Sequence, residues 1–317
     1  MADNPVLGIG SSLGFKAESQ VGSKISLTGG SFLDLVDEDL DYKPIKYEDT
    51  SPIGGRVEFD GDKSIISHND GGGSFSHRPH AIDIDEYMAL LLGGTDTGYK
   101  VPIIAQSSDL TTFTLESNKA GMNTIRLIGN KINTAAFKSE ANQPLVITSN
   151  IISMSGERDA SDLASPVYTN MGLPFMHGML GFDATGVAWL GGASGPAARS
   201  IEFTINNNLT GDDTSFCNST TRKIIPVGLF SCEGTMEIPY NATSKGFWAA
   251  IVVLTVVPFK LTFNDNDGTT AEFLFNAQFD GDLPKIADKK NIWLPLKWHT
   301  VKTSSNAWGL KFKKTTV

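Results

Sequence analysis

The stretch Ser200-Ile-Glu-Phe-Thr-Ile-Asn206 decides the fold. Its apolar residues, Ile201, Phe203 and Ile205, are separated by the polar Glu202 and Thr204. Successive side chains of a strand point to opposite faces, so this spacing packs one face on a core and leaves the other in water. The same period of two continues outward from there. From Phe230 to Tyr240 the even positions carry Phe230, Cys232, Gly234, Met236, Ile238 and Tyr240, with polar residues or Pro239 between them. Phe259, Leu261 and Phe263 alternate with Lys260 and Thr262, and Phe273, Phe275, Ala277 and Phe279 alternate with Leu274, Asn276 and Gln278. Between those two runs, Asn264-Asp-Asn-Asp-Gly268 supplies residues that tolerate positive φ in a hairpin loop. The pattern predicts antiparallel sheet with one face packed and one face polar.

With 317 residues and 40 % apolar side chains, the chain has enough material for a core that needs no staples. One all-β domain spanning 1–317 is expected, with a long Gly-rich loop or hairpin at about 41–80 and a Gly/Met-rich connector at about 156–198. The net charge is −9, and the only basic cluster is Lys311-Phe-Lys-Lys314. Attraction to a phosphate backbone needs a basic surface, so specific nucleic-acid binding is disfavoured. Cys217 and Cys232 make no disulfide framework; a bridge between them is open, and Cys232 reads most simply as a small core residue. The start of the chain lacks the basic and apolar regions of a signal peptide, and the apolar run Phe247 to Phe259 is too short to span a bilayer.

From the start of the chain, strands are expected at Leu13 to Glu18 and Lys24 to Leu27. Phe32 to Asp49 carries Asp34, Asp37, Glu38, Asp39, Asp41, Glu48 and Asp49 against Lys43 and Lys46, which reads as a solvated loop face. Its spacing fits no calcium loop, because the glycine and the closing glutamate are missing. Residues 50–80 hold many turn formers, including Gly71-Gly-Gly73, and read as a long loop or a protruding hairpin with Arg56-Val-Glu-Phe59 as one arm. His68, His77 and His80 fall here without the fourth ligand zinc would require, so they read as loop histidines. Ile82 to Leu92 predicts one helix, with Asp83 and Glu86 as a capping box and Gly93-Gly94 as its stop. Ile84, Tyr87, Met88, Leu91 and Leu92 give it an apolar face that should lie on a sheet.

Further strands are expected at Thr111 to Glu116, Asn123 to Ile132 and Pro144 to Met154, and a short one at Ala188 to Leu190. Lys245 to Val257 reads as helix passing into strand. Trp293, Trp298 and Trp308 among the lysines of the last segment suggest docking on the chain's own sheet or on a neighbour. No catalytic constellation holds. Gly8-Ile-Gly10 lacks a following helix, no Gly-Lys-Thr loop is present, and no serine sits at a nucleophile elbow. No cofactor and no metal is expected. A pair of carboxylates for glycoside cleavage is the one enzymatic arrangement that spacing leaves open.

At Ser200-Ile-Glu-Phe-Thr-Ile-Asn-Asn-Asn-Leu209, Arg222-Lys-Ile-Ile-Pro-Val-Gly228 and Cys232-Glu-Gly-Thr-Met-Glu-Ile-Pro-Tyr240, the chain resembles the tail tube proteins of tailed bacteriophages. The order of the glycine-rich opening, the helix ending at Gly94 and the Phe113 to Glu116 strand is similar to that family as well. The resemblance implies an antiparallel β-sandwich or barrel with a flanking helix. It also implies a non-enzymatic virion protein that assembles in the host cytoplasm as stacked rings, usually homo-hexamers, with DNA leaving through the lumen. Tail tip or baseplate and tail terminator proteins would be its other partners. Whether the tail is contractile stays open. Candidate assembly contacts are Asp37, Asp39, Asp41, Arg56, Phe59, His68, Phe75, Trp293, Trp298 and Trp308. Removing residues 50–75 is expected to leave a folded subunit that no longer polymerises. The alternative class is a virion decoration or receptor-binding β-domain, and a β-fold hydrolase comes third.

Overall fold

The alternating runs fold as antiparallel strands in the computed structural model, which describes residues 11–28, 30–48, 64–103, 109–120, 123–161, 163–168, 171–182, 198–211, 221–240, 254–265, 267–280, 292–302 and 308–316. The first part supplies β1 (Ser12–Ala17), β2 (Ser31–Phe32) and two long strands, β3 (Asp34–Glu48) and β4 (Ser64–Arg78). Helix α1 (Ile84–Leu92) follows, then β5 (Gly93–Asp96), β6 (Tyr99–Pro102), β7 (Phe113–Lys119) and β8 (Asn123–Glu140). Next come β9 (Val146–Ile152), β10 (Ser155–Arg158), β11 (Met176–Phe182), β12 (Ser200–Asn206) and β13 (Ser231–Pro239). The chain ends with β14 (Val256–Asn264), β15 (Thr269–Asp280), β16 (Trp293–Thr300) and β17 (Leu310–Thr316).

Strand β8 is the hub. Its first half pairs with β7 and β10, and β7 passes the ladder on to β1 and β2. Its second half pairs with β9 on one edge and β12 on the other. From β12 the sheet continues through β13 and β16, while from β9 it continues through β4 to β3. Strand β15 is a second branch point. One edge pairs with β14; the other pairs first with β17 and then with β16. Every pairing is antiparallel, and α1 is the one helix among the described residues.

The core lies where the apolar faces of these arms meet. Phe137 on β8 stacks on Phe203 of β12 with centroids 4.6 Å apart, and both meet Phe273 of β15 edge-on at 5.4 and 5.3 Å. Phe259 stacks on Phe275 at 4.7 Å, and Trp298 closes on Phe275 at 4.8 Å. Offset and edge-to-face rings add to the stabilisation from buried area, so three of the alternating runs converge on one aromatic cluster, and the fourth adds Cys232, Met236 and Ile238 to the same core. Cys232 lies in this core as a free thiol, pushed up in pKa by burial and then by the charge of Glu233.

Several expectations change. The acidic run is strand β3 rather than a solvated loop, because β4 covers one of its edges from Asp34 to Glu48. The three glycines Gly71 to Gly73 are not a turn but the middle of β4. Gly72 and Gly73 have φ of 146° and 128°, and a Cβ there would collide with the carbonyl oxygens of Ile151 and Asp39. Only glycine lets β4 run between β3 and β9 at that point. Residues 24–27 form no strand, whereas β8 runs on to Glu140. The 156–198 region contains most of β10 and all of β11, while Ala188 to Leu190 lies outside the described residues. Of Lys245 to Val257, only the last part is described, with β14 beginning at Val256.

Helix α1 stops as predicted. Gly93 takes the left-handed conformation at φ 73°, and its N–H donates to the Ala89 carbonyl. The predicted capping box does not form. The Asp83 Oδ1 instead accepts the His80 N–H at 3.0 Å, while Glu86 accepts from Ala17 N–H and the Ser31 hydroxyl. Asp83 turns back to the local His80 N–H, and distant partners on β1 and β2 have taken Glu86. Among the described residues no helix is long and apolar enough to cross a membrane.

Candidate functional site

The β3–β4 hairpin leaves the sheet. Strand β9 pairs only with Gly72 to His77 of β4, so the outer pairs, from Lys43 opposite Asp70 to Glu48 opposite Ser64, form a two-stranded ribbon. Such a ribbon has no core of its own and is marginal in water. Yet it displays Tyr47 and Ile66, which are 59 % and 51 % exposed. Register places them on opposite faces of the ribbon, Tyr47 opposite Ile65 and Ile66 opposite Lys46.

The root of the arm is tied down by charge. Asp34 lies 3.4 Å from the Arg78 guanidinium, Glu38 is 3.0 Å from Lys119, and Asp41 is 2.6 Å from Arg158. The Arg158 Nε also donates to the Tyr42 carbonyl. On the other strand Asp70 accepts from Arg222 at 2.7 Å. Arg222 is largely buried and also donates to the carbonyls of Gly211 and Ser153. Surface pairs of this kind stabilise little individually, but they fix the direction in which the ribbon leaves the body.

The candidate contact residues divide. Asp37 and Asp39 are exposed on β3 and make no ion pair among the described residues, whereas Asp41 is held by Arg158. His68 stands opposite Ile45 on the ribbon. Trp293 is partly covered, with the Arg199 guanidinium 5.8 Å from its ring centroid. Phe75 and Trp298 are each only 2 % exposed, so they belong to the subunit's own core and cannot meet a neighbour. Trp308 docks on its own chain, donating its ring N–H to Asp96 at 3.0 Å. Arg56 and Phe59 lie outside the described residues. The residues that single-sequence reading missed are Lys119, Arg158 and Arg222, which fix the root, and Tyr47 and Ile66 on the ribbon. The alternation of Ile45 and Tyr47 in the acidic run was a signal for Tyr47 alone.

A second surface is the outer face of β8, β12, β13 and β16. Register places Lys138, Glu202, Thr235 and Lys297 in one row, and Ala136, Thr204, Glu233 and His299 in the next. With Glu140 and Glu237 the face carries more carboxylates than lysines. Lys138 is held above its usual pKa by its hydrogen bond to Glu140 and then by that carboxylate's charge.

The first half of β8 carries an ionic clamp with β7 and β10. Arg126, 1 % exposed, donates to Glu116 at 2.8 Å and to Glu157 at 2.7 Å. Glu116 in turn accepts the Ala164 N–H. Burial raises the Glu157 carboxyl, but hydrogen bonds from Arg126 and Lys24 outweigh it and leave the group below the ordinary carboxylate range.

One cleft of about 350 Å³ is lined by Glu140, Ala141, Arg199, Ser200 and Glu237. A cleft of about 500 Å³ beside the end of α1 is lined by residues such as Leu92, Leu110, Val227 and Trp308, and no carboxylate lines it. No group of His, Cys, Asp and Glu among the described residues could hold a metal. What the fold offers is a β-scaffold with a projecting ribbon and broad polar faces, the parts of a protein that assembles. The profile of the family described as phage tail tube protein matches residues 8–298, and the chain belongs to that family. A comparison with curated proteins found no match.

Proposed function

We propose that the chain polymerises, six subunits to a ring, into stacked rings that form the tube through which a phage delivers its DNA. The observation that carries this is the ribbon of residues 43–48 and 64–70, projecting past the last sheet contact with Tyr47 and Ile66 uncovered. A contact between unlike surfaces repeats from copy to copy, closing into rings where the rotation allows and stacking where it does not. The ribbon is one of those surfaces, reaching from its own ring to the next. Interfaces of this obligate kind bury about 2,000–5,000 Å².

The outer face of β8, β12, β13 and β16 forms the lumen wall in this account. Its excess of carboxylates keeps a phosphate polymer from adhering. The protein carries out no reaction. It works in the virion tail, is assembled in the host cytoplasm, and is bounded by tail tip or baseplate proteins at one end and a terminator at the other. A decoration or receptor-binding role gains less support, because the aromatic clusters of the described residues are buried.

Sedimentation velocity across a concentration series tests this. Species at multiples of one closed ring, growing with concentration, are expected. A single monomeric species at every concentration, with tail tips present as nuclei, overturns it.

A further inference from the structure

At the root of the hairpin, three buried side chains carry polar atoms with nothing to bond. His77 on β4 is completely out of water, and neither ring nitrogen has a partner among the described residues. Its ring is wedged between Phe75 and Tyr87, with centroids 5.8 and 5.1 Å away. Asp83, just before α1, is equally buried; its Oδ1 accepts the His80 N–H, and its Oδ2 is orphaned. His80 places Nε2 3.4 Å from Asp34 Oδ2 and leaves Nδ1 unbonded. Tyr87 joins the group together. Its ring packs on His77, its N–H donates to the Asp83 carbonyl, and its hydroxyl lies 2.7 Å from the Ser149 hydroxyl on β9.

The other charged groups around the joint come from each packed element. They are Asp34 from β3, Arg78 from β4, Glu86 from α1, and Lys314 from β17, whose ammonium bonds the Ala81 carbonyl at 3.0 Å. Strand β9 contributes Ile147 and Ser149, which carry no charge.

A base buried without an acceptor is held neutral, and an acid buried without a cation is held protonated. Relative to the unfolded chain, the first has lost a proton and the second has kept one. We propose that His77 and Asp83 form a proton-compensating pair that keeps the hairpin root equally stable across the acid range, where either group alone would make it pH-dependent. The pair is independent of the tube reading and concerns the subunit itself.

The window follows from the two groups separately. Burial, then the charge of His80, lowers His77 from 6.5 to about 3. Between those values the unfolded chain binds a proton that the folded chain refuses, so stability falls as pH falls. Burial, against the hydrogen bond from His80, raises Asp83 from 3.8 to about 7. In that interval the folded chain holds a proton the unfolded chain lacks, so stability falls as pH rises. From about pH 4 to 6.5 the two proton numbers balance and the slopes cancel.

The test is the unfolding equilibrium of the wild type, Asp83→Asn, His77→Phe and the double variant from pH 4 to 6.5. Asp83→Asn keeps the acceptor for the His80 N–H, and His77→Phe keeps a ring in the aromatic slot. Relative to wild type, Asp83→Asn should unfold about tenfold more readily for each pH unit lowered, and His77→Phe about tenfold more readily for each unit raised. The double variant should run parallel to wild type. Nuclear magnetic resonance of ring-labelled histidine in the wild type needs no variant: His77 should remain neutral down to about pH 4. Parallel curves for all four proteins, or a His77 ring that titrates near 6.5, would overturn the proposal.

Discussion

Replacing residues 44–69 with a two-residue turn is expected to leave a folded subunit that forms no tubes. Pro44 stands opposite Asn69, so the cut removes the ribbon cleanly at a paired position. What remains is the ladder of Asp34 to Lys43 with Asp70 to Arg78, the whole β4–β9 pairing, and the ties of Asp41 to Arg158 and Asp70 to Arg222. No described residue of the excised segment belongs to the buried apolar core. Thermal unfolding should therefore move by no more than a few degrees, the scale of about 1 kcal/mol in a chain of this size. Sedimentation should show only unassembled subunits. A wider cut through residue 75 is a poorer experiment than the sequence suggests, since it removes Phe75 and most of the β4–β9 register. Tubes of ordinary length from the 44–69 variant would reject the ribbon as the stacking element.

Arg126→Leu has the largest expected effect on stability. The guanidinium is 1 % exposed and Glu116 is 3 % exposed, so the substitution strands a carboxylate in the protein interior. Removing one partner of a buried pair costs about 3–5 kcal/mol, because the remaining charge has no water to return to. Against a typical domain stability of about 5–15 kcal/mol that is a large fraction. Urea unfolding should show the midpoint falling accordingly, and Glu116→Leu in the same chain should recover much of the loss. A change below about 1 kcal/mol would mean that Glu116 finds another partner or protonates without cost. Glu157 plays a smaller part in the penalty, since it is 41 % exposed and remains hydrated.

Most of the sheet was legible in the sequence because its strands have one wet face. Ile201, Phe203 and Ile205 alternate with polar residues, and their burial alternates with them. The same holds for β15, whose even and odd positions separate cleanly. Strand β3 was hidden for a physical reason. Two of its acids, Glu38 and Asp41, are paired by Lys119 and Arg158, which come from β7 and β10, far away in sequence, and the whole run is held as strand by its ladder with β4. Gly71 to Gly73 misled in the same way, since glycine serves a close crossing of strands as well as a turn. His77 and His80 looked like loop residues and are buried, because α1 folds back over the end of β4. The exposure of Asp37 and Asp39 could be read in advance from the acidic run. Trp298 could not, because a tryptophan on an alternating strand reads alike whether its partner is its own sheet or a neighbour's.

Electron microscopy of the purified, concentrated protein at low salt tests the central claim most directly. Hollow tubes built of evenly stacked rings are predicted, with the ribbon bridging one ring to the next. Particles that remain single subunits even when nucleated with tail tips, or filaments without a lumen, would contradict it.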